Sequence, residues 1–351
     1  MTKILSIGIA GAGVLGRLLA WRLGRAGHQV TVFDPASGPL GRGAAGWTAA
    51  GMLSPSAELE CADLQVFQDG VDSIPMWAAI IRELPGAPDF DNRGSLLLAH
   101  RSDAGAAHRL VDLIAHKAPD GYRPQSLTPE ALADLEPDIH GPALAWFLPY
   151  EGAVNPVQLM QALQEGAAGV NWAWGRRVDT LGPGRIECSD GTYDFDHVFD
   201  ARGLGQRPAG AQGVGCTDVR GVRGEIFLVQ APDVNLGRPI RLLHPRHRVY
   251  VVPRRDHHFI IGASEIESED RSPVSLRTTV ELLATAHSAL PGLAEARLVH
   301  TETNLRPALR DNLPRIEQTP GLTRINGLFR HGWMIAPAMT ARAIQGSGIA
   351  G

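Results

Sequence analysis

The sequence predicts an α/β domain built on a parallel sheet, joined to a second domain of the α+β kind whose sheet is antiparallel. Three features carry this expectation. Residues 4–34 read as strand, glycine turn, helix and strand, and residues 221–262 hold three β-branched runs with a polar turn between the last two. The chain has 351 residues, a little over two equivalents at roughly 150 residues per domain.

The elements follow in order. Residues 4–10 are mostly apolar or β-branched and run into Gly11-Ala12-Gly13, after which residues 14–26 show apolar positions at helical spacing. Gly27 ends that helix, and residues 29–33 form a second strand finishing in Asp34. Crossovers between parallel strands are right-handed almost without exception, so the helix lies on a parallel sheet with its N-terminus near the strand ends. Residues 36–58 are rich in Gly, Ala and Ser, too small-sided for a core strand and too glycine-rich for a stable helix, so this loop is expected to wrap something. Helices are expected over 64–84, 106–118, 128–135 (capped by Thr128), 157–168 (capped by Asn155, with Pro156 in first position) and 276–288. Strands are expected over 94–100, 143–154, 170–174, 180–186, 193–200, 221–229, 248–252 and 258–262. No internal repeat interrupts the pattern.

Composition removes several functions. Lys and Arg number 33 against 37 Asp and Glu, a net charge of −4, so no global basic field exists to hold nucleic acid. Glycine accounts for 40 residues, above the usual ~7%, which points to many tight turns or close backbone approaches. Cys61, Cys188 and Cys216 are far apart without CxxC spacing, which excludes a zinc ribbon or a disulfide frame and fits a reduced, cytoplasmic setting. His244, His247, His257 and His258 cluster with arginines rather than carboxylates, so no metal site is expected. The glycine-punctuated N-terminus does not read as a signal peptide, and no apolar run is long enough to span a membrane. No GxSxG elbow is present.

Gly11, Gly13 and Gly16 follow a strand and open a helix, and the acidic Asp34 ends the next strand. In that context Gly11 makes the turn, Gly13 admits a pyrophosphate to the backbone, Gly16 permits close helix packing, and Asp34 accepts ribose hydroxyls. The fingerprint does not separate NAD from FAD, which share the ADP moiety. A guanidinium such as that of Arg306 matches a carboxylate bidentately and stays charged at any working pH. Tyr250 and Val252 alternate to one strand face, Val249 and Val251 to the other. Tyr250 is then either a core tyrosine with a bonded hydroxyl or a pocket residue.

Residues 44–58 (AAGWTAAGMLSPSAE), 303–314 (TNLRPALRDNLP) and 327–337 (GLFRHGWMIAP) resemble the D-amino-acid-oxidase superfamily of flavoproteins, and within it the glycine oxidase family of thiamine biosynthesis. The resemblance continues through VNP at 154–156, VRGE at 222–225, YVVPR at 250–254 and IIGAS at 260–264, nearly the full chain. It implies a Rossmann-like FAD-binding domain of residues 1–88, 150–218 and 300–351, with an antiparallel-sheet substrate domain of 89–149 and 219–299. This is the architecture of glutathione reductase and D-amino-acid oxidase.

The resemblance further implies that FAD is held by Gly11, Gly13, Gly16, Asp34, Thr48, Ala49, Ala50, Gly51, Met52, Val178, Ala201, Gly203 and Arg306. The stretch Arg330, His331, Gly332, Trp333 and Met334 would pass the flavin ring, although Arg330 also reads as a brace for its loop. Arg306 would pair with a substrate carboxylate, Tyr250 would line or gate the pocket, and Met52 would sit beside the flavin. Glu265 stands where the family pattern carries an apolar side chain, so it either accepts a hydrogen bond from an amine or turns to solvent. Trp47 is a bulky insertion in a small-sided loop. No cysteine follows Cys216, so FAD is expected to be non-covalent. The implied activity is oxidation of a small amino acid or secondary amine (glycine, sarcosine or a D-amino acid) with oxygen as acceptor. A dehydrogenase using a quinone or protein acceptor, and a flavoprotein acting on a partner protein's side chain, are the alternatives. Self-association is left open. Gly351 comes soon after the last helix begins, so that helix is expected to be short.

Overall fold

The computed structural model describes residues 3–206, 218–244 and 248–351, so Cys216, His247 and part of the 150–218 segment lie outside the described residues. Strand β1 (Ser6–Ala10), helix α1 (Val14–Arg25) and strand β2 (Gln29–Asp34) form the expected βαβ unit. Residues 7–10 of β1 and Val32 and Phe33 of β2 are buried, so both faces of each strand are covered. Helix α1 buries Leu15, Leu18, Leu19 and Leu23 and ends with Arg22 and Arg25 in its last turn, where cations suit the negative end of the helix dipole.

Among the described residues six strands make the first sheet, in the order Arg315–Thr319, Leu322–Asn326, His197–Asp200, β1, β2, Asn171–Trp174. Its neighbours are parallel except for the hairpin of residues 315–326. A second sheet of eight strands runs Arg297–Ala308, Arg220–Gln230, His258–Gly262, Arg248–Arg254, Ile240–Leu243, Ser95–Ala99, Leu144–Leu148, Gln125–Leu127. It is antiparallel except where Ile240–Leu243 runs alongside Ser95–Ala99. The strand Arg297–Ala308 crosses the boundary expected near residue 300.

The structure departs from the expected elements in several places. The single strand expected over 180–186 is two, Val178–Gly182 and Arg185–Cys188, folded back at Pro183-Gly184. The strand expected over 193–200 is also two, Gly191–Asp194 and His197–Asp200. It breaks where the Asp196 carboxylate accepts from the Ser6 N–H at 2.8 Å and the Ser6 hydroxyl at 2.9 Å. Strand Ile240–Leu243 and the hairpin of residues 315–326 appear where no element was expected. The last helix is not short: it runs through 15 residues, Gly332–Gly346, with Pro337 inside it.

That C-terminal helix packs on the helix Leu64–Glu83, where the Trp77 indole donates to the Trp333 carbonyl at 2.7 Å and Arg342 grips buried Asp69 at 2.5 and 2.6 Å. Arg17 is buried in α1 and donates to the carbonyls of Ala12, Met160 and Pro39 at 2.7–2.8 Å. Trp47, Trp172 and Trp174 face its guanidinium at 5.3 to 5.8 Å.

Glu151, fully buried between the sheets, accepts from the Ala57 N–H at 2.8 Å and from the Ser95 hydroxyl at 2.6 Å. Burial pushes its pKa up from 4.5 to about 7, against the pull of Arg241. A carboxyl whose folded pKa is raised contributes stability that is full below its unfolded value and is lost as pH rises through the folded one. Glu151 is therefore expected to cost the wild-type protein about 3 kcal/mol between pH 4.5 and 7. Glu151→Gln should lack that slope, which urea unfolding of the two proteins at half-unit steps of pH would read directly.

Candidate active site

One cavity of about 1130 Å³ runs between the two sheets, from Gly11 and Asp34 at one end to Tyr250 and Arg306 at the other. That is at or above the upper end of ordinary ligand pockets, room for a large cofactor together with a small substrate. At the Gly11 end the glycines divide the work. Gly11 has φ +97°, and a Cβ on Gly16 would lie 1.8 Å from the Gly11 carbonyl oxygen, so the helix can approach the turn only with glycine there. Gly13 is different: a Cβ on it would meet only the Ala44 Cβ at 3.7 Å, so its bare backbone faces open space. Gly13 caps α1 without a side-chain hydrogen bond, and no acidic residue occupies the first turn. The helix thus presents free N–H groups and a positive dipole end to the cavity. The Asp34 carboxylate accepts from the Ala12 N–H at 2.7 Å and the Ala36 N–H at 2.8 Å, which holds it at the rim of the turn.

At the far end Arg306 lies on the strand Arg297–Ala308, paired with Val222 across the sheet. Its guanidinium donates to the carbonyls of Ser264 at 3.0 Å and Arg223 at 3.3 Å, and has no carboxylate partner among the described residues. Burial draws its pKa below the ordinary guanidinium value, yet arginine stays charged in proteins. Gly224 makes room for it, since a Cβ there would lie 2.5 Å from Arg306 Nη2. Gly224→Ala should therefore push the guanidinium aside by roughly 1 Å. A displacement of that size costs about 100-fold in rate, so kcat/KM should fall that far while FAD content and melting temperature hold.

Tyr250 points to the cavity side with Val252, among Ala50, Met52, Ala153 and Ile260, whereas Val249 and Val251 enter the core beneath the sheet. The alternation read from the sequence is observed. Gly262, opposite Tyr250, leaves space for the ring, because a Cβ there would come within 2.8 Å of it. Asn304 fixes the small-sided loop over the cavity by donating to the Arg42 and Ala44 carbonyls at 3.3 Å and the Thr48 hydroxyl at 3.1 Å.

Between these groups sits a buried charge cluster. Glu58 receives Arg241 Nη2 at 2.7 Å and Arg330 Nε at 3.0 Å, with His331 Nδ1 at 3.2 Å. Burial alone would raise the Glu58 pKa, but Arg330, Arg241 and His331 together hold it well below the ordinary carboxylate value. Glu265 is half exposed and pairs with Arg330 at 3.2 Å. Of the two fates expected for Glu265, it takes the solvent-facing one in part and spends the rest on Arg330.

Gly11, Gly13, Asp34, Thr48, Ala49, Ala50, Gly51, Met52, Val178, Ala201, Gly203, Tyr250, Glu265, Arg306, Arg330, His331, Gly332, Trp333 and Met334 all line the cavity. Gly16 does not; its place is behind the turn. Trp47 is turned into the core under Arg17 and does not line the cavity either, so it does not enlarge the substrate end. The Trp333 indole is tied to the Gly46 carbonyl at 3.0 Å. Among the described residues no group of three or more His, Cys, Asp or Glu is placed to bind an ion. No described helix is long and apolar enough to cross a membrane.

Sequence reading missed Glu58, Arg241, Gly224 and Asn304 as individuals. Glu58 and Asn304 stood inside resembling segments without a pattern of their own, and the charge of Arg241 within the apolar run IRLL was the one visible signal.

Comparison with known proteins agrees with this geometry. The chain is 39% identical over 341 residues to a protein of Rhizobium etli named as a thiamine biosynthesis oxidoreductase, ThiO, covering 96% of this chain and 94% of that one. It is 26% identical to the glycine oxidase of Geobacillus kaustophilus over 96% of this chain and 91% of that sequence. The crystal structure of glycine oxidase from Geobacillus kaustophilus superposes with a TM-score of 0.82 at 25% identity, covering 98% of this chain and 95% of the other. A structure of iminodiacetate oxidase from Chelativorans shares the fold at a TM-score of 0.82 and 23% identity, covering 97% of this chain and 95% of the other. The model of the FAD-dependent oxidoreductases, DAO, matches residues 6–344, and the chain belongs to that family.

Proposed function

We propose that this protein oxidises a small amino acid or secondary amine bearing one carboxylate, such as glycine, sarcosine or a D-amino acid, and passes the electrons to oxygen. The observation that carries this reading is Arg306: a half-buried guanidinium in the wall of the cavity, held among the described residues by two carbonyls and no carboxylate. Elsewhere in this pocket Arg241 and Arg330 are matched by Glu58, and Arg330 also by Glu265. Arg306 is left with one uncompensated positive charge, which one substrate carboxylate would neutralise in bidentate geometry.

The residues fit FAD. The open backbone at Gly13 and the uncapped N-terminus of α1 suit a pyrophosphate, Asp34 suits a ribose, and Val178, Ala201 and Gly203 line the same end of the cavity. Thr48–Met52 and Arg330–Met334 line the other end, where the C-terminal helix also begins without a side-chain cap. In this reading residues 1–88, 150–218 and 300–351 form the FAD-binding domain and 89–149 and 219–299 the substrate domain, with FAD held non-covalently. When bound, FAD supplies the acceptor for a hydride from the substrate α-carbon. The protein's part is orientation. Arg306 holds the carboxylate, Tyr250 and Met52 bound the small space beside it, and the Glu58 cluster keeps the remaining charges balanced.

The reading is tested by adding glycine, sarcosine, D-alanine and D-proline to the oxygen-free yellow protein and then readmitting air. Bleaching by at least one of them, with prompt return of colour and one peroxide per turnover, is expected. Bleaching with slow return in air would replace oxygen by a quinone or protein acceptor. No bleaching by any of them would remove the small substrate and favour a side chain of a partner protein.

A further inference from the structure

Orientation alone leaves one buried pair without a task. Glu58 is 6% and His331 4% exposed, and Glu58 Oε2 and His331 Nδ1 lie 3.2 Å apart. Neither atom has a well-aligned hydrogen bond. A buried polar atom whose hydrogen bond is poorly aligned is costly; Glu58 Oε2 meets Arg330 Nε at 3.0 Å without that alignment, and His331 Nδ1 beside it has no hydrogen bond. A small rotation of the imidazole satisfies both, provided that Nδ1 carries the proton, because Glu58 is ionised between Arg241 and Arg330 and can only accept. That places the lone pair of the neutral ring on Nε2. No described residue bonds Nε2, and the ring lines the cavity that also holds Arg306.

Resting on the amine-oxidation reading above, we infer that Glu58 fixes the tautomer of His331 and that His331 Nε2 takes the proton from the substrate's ammonium group. A free amino acid near neutral pH is mostly a zwitterion, whose ammonium nitrogen has no lone pair to support loss of hydride from the α-carbon. In the step R–NH₃⁺ passes one proton to the imidazole, giving R–NH₂ and an imidazolium paired with Glu58; no bond to carbon changes. The amine's lone pair is then available when the hydride leaves for FAD, and the imidazolium later returns its proton to solvent.

The charges facing the pair accommodate this. Arg241 and Arg330 are set against Glu58 and Glu265, with Glu151 behind Arg241. Arg248 is paired with Glu60 at the edge. An added imidazolium therefore meets a cluster near neutrality rather than a field of like charge. General base assistance of this kind is worth about 10²- to 10⁴-fold.

The experiment follows flavin reduction in the oxygen-free holoenzyme by glycine, or by whichever amine bleaches it best, from pH 6 to pH 10. His331→Gln should be reduced about 100-fold more slowly at pH 7, should regain most of the loss at alkaline pH where the solution itself frees the amine, and should be partly rescued at pH 7 by added imidazole. His331→Asn, whose amide still reaches toward Glu58 but carries no basic nitrogen, should behave the same way. Glycolate, a carboxylate without an amine, should bind wild type and both variants equally, which reads the integrity of the Arg306 end. Variants whose rates run parallel to wild type across the whole pH range, lowered or not, would overturn the inference while leaving amine oxidation standing. A wild-type protein reduced by no amine would overturn the functional reading first and this inference with it.

Discussion

Replacing Arg306 by Gln is expected to lower kcat/KM for any carboxylate-bearing amine by about 10²- to 10³-fold, with FAD still bound. The size follows from what is lost. A charge pair formed away from water is worth about 2–5 kcal/mol when one partner is truncated, and tenfold in kcat/KM corresponds to about 1.4 kcal/mol. Among the described residues Arg306 has no carboxylate partner to release, so its removal breaks no described ion pair and the effect should fall on substrate rather than on stability. Most of the change should appear in KM if the carboxylate is gripped equally in ground and transition states, and in kcat if its misplacement moves the α-carbon. Steady-state kinetics with thermal melting of the same samples separates these outcomes from a folding defect.

Two neighbouring glycines should respond in opposite ways to the same added methyl group. Gly16→Ala brings a Cβ to 1.8 Å from the Gly11 carbonyl oxygen, a backbone atom that cannot swing aside. Overpacking against a fixed element costs 1–3 kcal/mol and occasionally more, and here about 3 kcal/mol or more of stability should go together with FAD binding. Gly13→Ala meets nothing closer than 3.7 Å. The apoprotein should keep its melting temperature and even gain slightly from reduced freedom in the unfolded chain. Its FAD affinity should nevertheless fall by at least about tenfold, since the methyl would occupy the space through which the pyrophosphate reaches the backbone. Equal FAD affinity in Gly13→Ala and wild type would place the cofactor's phosphates elsewhere.

What the sequence shows and what it hides have separate physical causes here. The βαβ unit was legible because strand, glycine turn, helix and Asp34 are contiguous, and contiguous residues carry their own geometry. Tyr250 was legible as one of a face because strand alternation is local. The pairing of Glu58 with Arg241 spans 183 positions, so nothing near either residue announces it. The space Gly224 leaves for Arg306 depends on the register between the strands Arg220–Gln230 and Arg297–Ala308, and a glycine in VRGE looks like any strand glycine. Trp47 stood out as a bulky insertion in a small-sided loop, but its place is set from outside that loop, by the buried guanidinium of Arg17 from α1 that lies over the indole. The C-terminal helix was expected to be short from its nearness to Gly351, yet burial of Trp333, Met334, Ile335 and Met339 carries it over 15 residues in spite of Gly332 and Pro337, which disfavour helix.

The account rests on a carboxylate held by Arg306 beside the flavin, and the most direct test compares glycine with glycinamide, which keeps the amine and the α-carbon and lacks the charge. Bleaching of the flavin in the absence of oxygen is the measurement, at roughly equal concentrations of the free-amine form of each. The account predicts reduction by glycine and a rate about 100-fold lower for glycinamide, with the difference abolished in Arg306→Gln. Equal reduction by both in the wild-type protein would contradict it.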